Sequence, residues 1–281
     1  MLPIMLRTLL RTTLIALVAA HSGCSGIGKI LAPSNVRNWS PDQAVLAYAE
    51  FQGQQITVRN VRNCRYFSDD VYVVEHEDRV YNLQDLQSVD FFVVPFDSMP
   101  AIAHTMLSFE FQPCGGPQQR LAVSVETRKE VGEQYAAWKG SARQYELIYV
   151  LADERDVIGV RANHRGEDVY LYATTATPEQ ARNLFIDVLG RTNELASRPE
   201  FYDTFRNNCT TNIARHINRI APHRIRYDYH ILLPGYSAKL AYDEGLIERH
   251  GTFAETKAKA YVSPQAILSA GREDFADRIR R

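Results

Sequence analysis

The chain has 281 residues, is 45% hydrophobic and carries a formal net charge of -1. That is enough apolar material for the core of one large domain or two small ones. The balanced charge, with no basic stripe, excludes a nucleic-acid partner.

Residues 1–23 read as a signal peptide. Arg7 and Arg11 precede a short apolar run from Leu14 to Ala20 and then small residues. The run is shorter than the ~20 apolar residues of a membrane span. Ser22 and Gly23 directly before Cys24 make Cys24 a lipidation candidate. His21 stands where that motif takes an aliphatic residue, so ordinary cleavage nearby is the alternative. Either way the mature chain is expected outside the cytoplasm, where disulfides are permitted. With Cys24 removed or lipidated, Cys64, Cys114 and Cys209 remain. An odd count flags one thiol as reactive. The economical arrangement is a Cys64–Cys114 bridge with Cys209 free.

Residues 24–40 form a tether and 41–97 a strand-rich N-terminal part, with "ITVRNVR", "VYVVE" and "VDFFVVPF". Residues 98–250 form the main domain and 251–281 a helical C-terminal tail. In "IAHTMLSFEF", Thr105, Leu107, Phe109 and Phe111 share one face, and His104, Met106, Ser108 and Glu110 the other. A Pro/Gly loop containing Cys114 leads into "RLAVSVETR", which alternates again. This is an antiparallel hairpin. Setting Leu107 opposite Val123 and Phe109 opposite Leu121 puts Met106 opposite Ser124 and His104 opposite Glu126. A one-residue slip is disfavoured, because apolar side chains would face polar ones. A two-residue slip stays open and would bring Ser124 or Arg128 opposite His104. Strands follow near Tyr145–Leu151 and Val169–Ala173, with a short helix between. "TPEQARNLFIDVLGRTNELA" is a helix with Thr177 as cap, Pro178 in the first turn and Gln180 completing a capping box.

In "NNCTTNIARHINRI" the residues Ile213, Ile217 and Ile220 form a helical face that Cys209 shares. Asn207 or Asn208 caps this helix. Cys209 thus lies in the first turn, where the helix's positive end favours a thiolate. The bland alternative is a buried space-filling thiol. A nucleophile needs a base. His216 lies seven residues along the same helix, ~10 Å up the axis and out of reach. His104 has Glu126 beside it as an orienting carboxylate, and is the candidate base. No zinc spacing and no phosphate-binding Gly loop is present, so neither metal nor cofactor is expected.

A cysteine at a helix start facing a sheet histidine is the arrangement of papain-like thiol enzymes, and histidine before cysteine is the permuted order. The motifs "FVVPF", "AHTMLSFEF", "SVETRKEVGEQY", "RQYELIYVLADERDVI", "DVYLY", "RPEFYDTFRNNCTTNI" and "LPGYSAKLAYDEGLI" resemble the Lnb N-terminal periplasmic domain family, bacterial envelope proteins related to lipoprotein N-acyltransferases. The resemblance implies an α+β, circularly permuted papain-like (NlpC-type) fold in the periplasm. It implies Cys209 as nucleophile and His104 as base, and the hairpin register adds Glu126 to orient the base. Backbone N–H groups at the helix start, with Asn208 and Thr210 in support, would hold an oxyanion. The expected function is acyl transfer or hydrolysis on a membrane lipid or lipoprotein through an acyl-thioester. A cell-wall peptidase of NlpC type and a catalytically silent envelope-binding protein are the alternatives.

Overall fold

The computed structural model describes residues 32–96, 99–133, 144–222, 224–226 and 228–281. The signal peptide, Cys24 and most of the tether lie outside the described residues.

The architecture is α+β: one large sheet between two layers of helices. Its strands are β1 (Tyr48–Gln52), β2 (Gln55–Arg62), β5 (His76–Asn82), β6 (Leu86–Phe96), β7 (Met99–Phe111), β8 (Gln119–Arg128), β9 (Glu146–Ala152) and β10 (Tyr170–Ala173). The spatial order is β1-β2-β9-β8-β7-β6-β10, with β5 also on β2. Pairing is antiparallel apart from one parallel contact, Arg62 with Ala152. Two short strands, β3 (Arg65–Tyr66) and β4 (Tyr72–Val73), form a separate ladder. The strand-rich segment before residue 98 therefore belongs to the same sheet, since β6 lies directly against β7.

The β7–β8 hairpin adopts the register read from its alternation. Met106 pairs with Ser124, Leu107 with Val123, Phe109 with Leu121 and Glu110 with Arg120. Leu107, Phe109 and Phe111 enter one core, on the face covered by α2 (Pro178–Ser197) and α3 (Cys209–Ile220). Phe185 of α2 packs edge-on against Phe109 at 4.9 Å between ring centres and Phe111 at 5.2 Å. Each such fully buried ring contributes about 1.5–3 kcal/mol. Helix α2 starts with the expected capping box of Thr177 and Gln180.

Met106 enters a second core on the other face. There it meets α1 (Glu154–Gly159), with Val157 and Ile158, and the C-terminal segment, with Val262, Ala266, Phe275 and Ile279. The segment 251–281 is thus no appended tail. Its helices α6 (Phe253–Lys259), α7 (Ser263–Leu268) and α8 (Phe275–Arg278) complete the layer over the second face. Arg280 closes it, bonding Asp90 at 2.8 Å and Glu154 at 2.6 Å.

A close backbone contact fixes the start of β7. The turn Pro234–Tyr236, between α4 (Tyr229–Leu232) and α5 (Ser237–Asp243), lies flat on it. A Cβ on Gly235 would stand 1.9 Å from the Pro100 carbonyl oxygen, so only glycine permits this approach. At the far edge of the sheet, the Asn193 amide both accepts from the Ala49 N–H and donates to its carbonyl, each at 2.8 Å. It occupies an edge that would otherwise be open to another strand.

Candidate functional site at the Cys209 helix

Helix α3 begins at Cys209 because Asn208 caps it. The Asn208 side chain accepts from the Thr211 N–H at 2.7 Å, and Thr211 Oγ1 accepts from the Asn208 N–H at 2.8 Å. The Asn208 amide also donates one of its two N–H bonds to the Thr204 carbonyl at 2.7 Å. Asn212 N–H bonds the Asn208 carbonyl. Two donors at the positive end of the helix remain, the N–H groups of Cys209 and Thr210, which make no hydrogen bond among the described residues.

The Cys209 side is dry. The residue is 4% exposed and packs in the first core with Ile213, Leu107 and Ala103. Its Sγ lies 3.9 Å from the Ala103 carbonyl oxygen and 3.8 Å from Thr210 Oγ1. Thr210 in turn meets Thr105 Oγ1 at 3.2 Å. These contacts place Ala103 and Thr105 on the α3 face of β7.

His104, between them, points the other way. Its Nε2–H donates to Ser124 Oγ at 2.6 Å, and the Ser124 hydroxyl donates to Glu126 Oε1 at 2.7 Å. Because the serine proton goes to the carboxylate, the imidazole carries its proton on Nε2. Glu126 also accepts from Arg161 at 3.0 Å and Gln43 at 3.3 Å. The sheet alternation that pairs Met106 with Ser124 thus holds, but it carries His104 to the second face, away from Cys209. The expected dyad is not brought together. Glu126 reaches His104 through Ser124, its own oxygen standing 3.9 Å off.

The electrostatics fit this arrangement. Burial, followed by the nearby Arg161 guanidinium, pushes His104 down to about 3, and Glu126 only partly opposes them. The contact with Glu126 is therefore no ion pair at neutral pH. Burial works to raise Glu126, but Arg161 and Arg62 outweigh it and hold the carboxyl well below its ordinary range. Ser124 and Arg161, which complete the group, were not singled out from sequence. The alternation sets Ser124 opposite Met106, and opposite His104 only after a two-residue slip. It bonds His104 without any slip, diagonally across the ladder.

His216 sits in a similar relay on the Cys209 face. Its Nδ1–H donates to Asp187 Oδ2 at 2.5 Å and its Nε2 accepts from the Tyr149 hydroxyl at 2.8 Å. Burial lowers its pKa although Asp187 opposes this. The relay ties α3 to α2 and to β9.

Cys64, Cys114 and Cys209 are all free thiols, so the expected Cys64–Cys114 bridge is not formed. Cys64 is buried with its N–H held by Asp156 at 2.8 Å, while Cys114 is exposed in the β7–β8 turn. Among the described residues no group of His, Cys, Asp and Glu is placed to hold a metal ion, and no helix is long and apolar enough to cross a membrane.

An apolar cavity of about 260 Å³ runs beside α3. Thr210, Ile213 and Ile217 form one wall, and Leu107, Phe91 and Leu184 the other. Cys209 does not line it.

No curated protein and no solved structure matches the chain. A family model described as the Lnb N-terminal periplasmic domain matches residues 72–235, more than half of the chain, and spans His104, Glu126, Cys209 and the Gly235 turn. The chain belongs to the family of Lnb N-terminal periplasmic domains.

Proposed function

We propose that this periplasmic domain handles acyl groups of a lipid or lipoprotein through Cys209. The observation that carries the reading is the conjunction at the start of α3. A thiol occupies the first turn, beside two unpaired N–H groups, in surroundings that are apolar rather than sugar- or peptide-like. In the first step Sγ attacks an ester carbonyl, and the Cys209 and Thr210 N–H groups hold the oxyanion. The C–O bond breaks and the thiol proton ends on the released alcohol. In the second, an amine or water takes the acyl group, the C–S bond breaks and a proton returns to sulfur. The apolar setting supports this over a cell-wall peptidase. Since Cys209 is nearly closed off, the substrate must open its surroundings.

A second reading is binding without turnover. It is favoured by the position of His104, which is turned to the other face and held neutral. One experiment separates the two. The protein is incubated with a nitrophenyl ester of a long-chain acid, and peptides are weighed with and without an added amine. An acyl mass on the Cys209 peptide that the amine discharges supports the transferase. An adduct that never discharges supports the silent form. Failure to form any adduct at Cys209 removes the nucleophile.

A further inference from the structure

We infer that the cavity beside α3 is a binding site for one long-chain carboxylate, held without covalent bond and with its head at Arg224. The cavity follows α3 from Thr210 to Ala221, a length of ~16 Å at 1.5 Å per residue. Its two ends differ. Around Thr210, Ile213, Leu107 and Leu184 it is closed by buried residues. Around Thr175, Gln180 and Arg224 its walls are exposed. The ligand therefore enters from the Arg224 end, tail first.

Arg224 is the only charged residue among the described residues that line the cavity. It bonds the Glu244 carbonyl, and its Nη1 stands 3.5 Å from Glu244 Oε2. A guanidinium has five donors, so these two contacts leave N–H groups for a carboxylate. The chain behind the head then runs over Ile220, Ile217 and Ile213. The volume lies below the ~300–1,000 Å³ of drug-sized sites, which fits one alkyl chain and not two. In this orientation the methyl end, not the carbonyl, points toward the thiol. Binding here needs neither the thiol nor an acyl-thioester, although Thr210, whose N–H is assigned to the oxyanion, closes the inner end of the cavity.

The test is displacement of a fluorescent polyene fatty acid from the full-length protein by hexadecanoate, octanoate, hexadecanol or lysophosphatidylglycerol. Wild type and Cys209→Ala are expected to bind hexadecanoate alike. Arg224→Gln should weaken hexadecanoate and leave hexadecanol unchanged. Ile217→Trp, or Ala221→Trp at the opening should the first variant fail to fold, should block both. Octanoate should bind more weakly by about fourfold for each methylene no longer buried. Binding that survives both tryptophan variants overturns the site. Equal loss of acid and alcohol in Arg224→Gln overturns the role of Arg224. Preference for lysophosphatidylglycerol over hexadecanoate overturns the carboxylate head.

Discussion

His104 donates from Nε2 to the Ser124 hydroxyl at 2.6 Å, on the face of the sheet opposite to Cys209. Strand geometry enforces the separation: Ala103 and Thr105 touch the Cys209 helix, so the residue between them must point away. A neutral imidazole bound there does not stabilise a thiolate across the sheet. Replacing His104 with alanine is therefore expected to leave the pH profile of Cys209 alkylation by iodoacetamide where wild type has it. A displacement of a full pH unit or more would show that the imidazole reaches the thiol after all.

The same buried histidine makes stability depend on pH. His104 has an ordinary value of 6.5 and a folded value of about 3. As pH falls below 6.5 the unfolded chain takes a proton that the folded chain refuses. The contribution is thus complete above about pH 6.5 and is lost progressively toward about pH 3. His216, also lowered, adds in the same direction. His104→Gln, whose amide can still donate to Ser124, should remove up to ~1.4 kcal/mol per pH unit from the slope of unfolding free energy near about pH 5. Denaturant titrations at several pH values read this directly. An unchanged slope would mean that His104 is charged in the fold.

Thiol labelling of the native protein should proceed in a definite order. Cys114 is exposed and is expected to react first. Burial, followed by the Asp156 carboxylate, pushes Cys64 up to about 12, so it should stay unmodified until the protein unfolds. Intact mass under non-reducing conditions should show no Cys64–Cys114 bridge. Peptide mapping that finds the bridge in protein taken from the periplasm would refute this.

The sequence was informative where a face alternates. The hairpin pattern specifies both the β7–β8 pairing and the two cores, because a one-residue slip would invert every side chain. The α2 capping box and the start of α3 were legible for a similar reason, since caps are local chemistry. What each face would pack against was not local. Alternation says that His104 and Thr105 oppose each other, but not which of them meets α3. Tertiary placement of Cys209 decides that. The apolar C-terminal positions Val262, Ala266, Phe275 and Ile279 lie in short helices, and only the sheet gives them a common partner. Gly235 stood within a quoted motif, but its reason, contact with Pro100, spans more than a hundred residues of chain.

Asn193 is expected to matter more than a half-buried polar residue usually does. Its amide satisfies both backbone groups of Ala49 on the edge strand. Asn193→Asp keeps the acceptor but sets a carboxylate against the Ala49 carbonyl. A loss of about 1–3 kcal/mol is expected, the cost of a buried group left unsatisfied. Light scattering should also rise, since the freed edge can pair with another chain. Wild-type stability in this variant would show that the edge needs no cap.

The strongest single loss is expected at Arg280. Its guanidinium bonds Asp90 and Glu154 together, and Glu154 is only 1% exposed. Ser108 donates to the same Glu154 at 2.5 Å, so the cluster joins α1, β6, β7 and the C-terminal segment. Arg280→Met keeps most of the volume but leaves two buried carboxylates without their cation. That should cost about 3–5 kcal/mol at neutral pH. Burial already pushes Asp90 up to about 6 even with Arg280 in place, and removing the cation raises it further. Below that value Asp90 takes a proton and the repulsion between the acids falls. The penalty of Arg280→Met should therefore be largest above the raised Asp90 value of the variant and shrink as pH falls from there to about 6, below which Asp90 is protonated in both proteins. Asp90→Asn in the same background should recover part of the loss at neutral pH and abolish much of its pH dependence. A penalty that stays constant with pH would place the cost in lost packing of the arginine stem rather than in the unpaired acids.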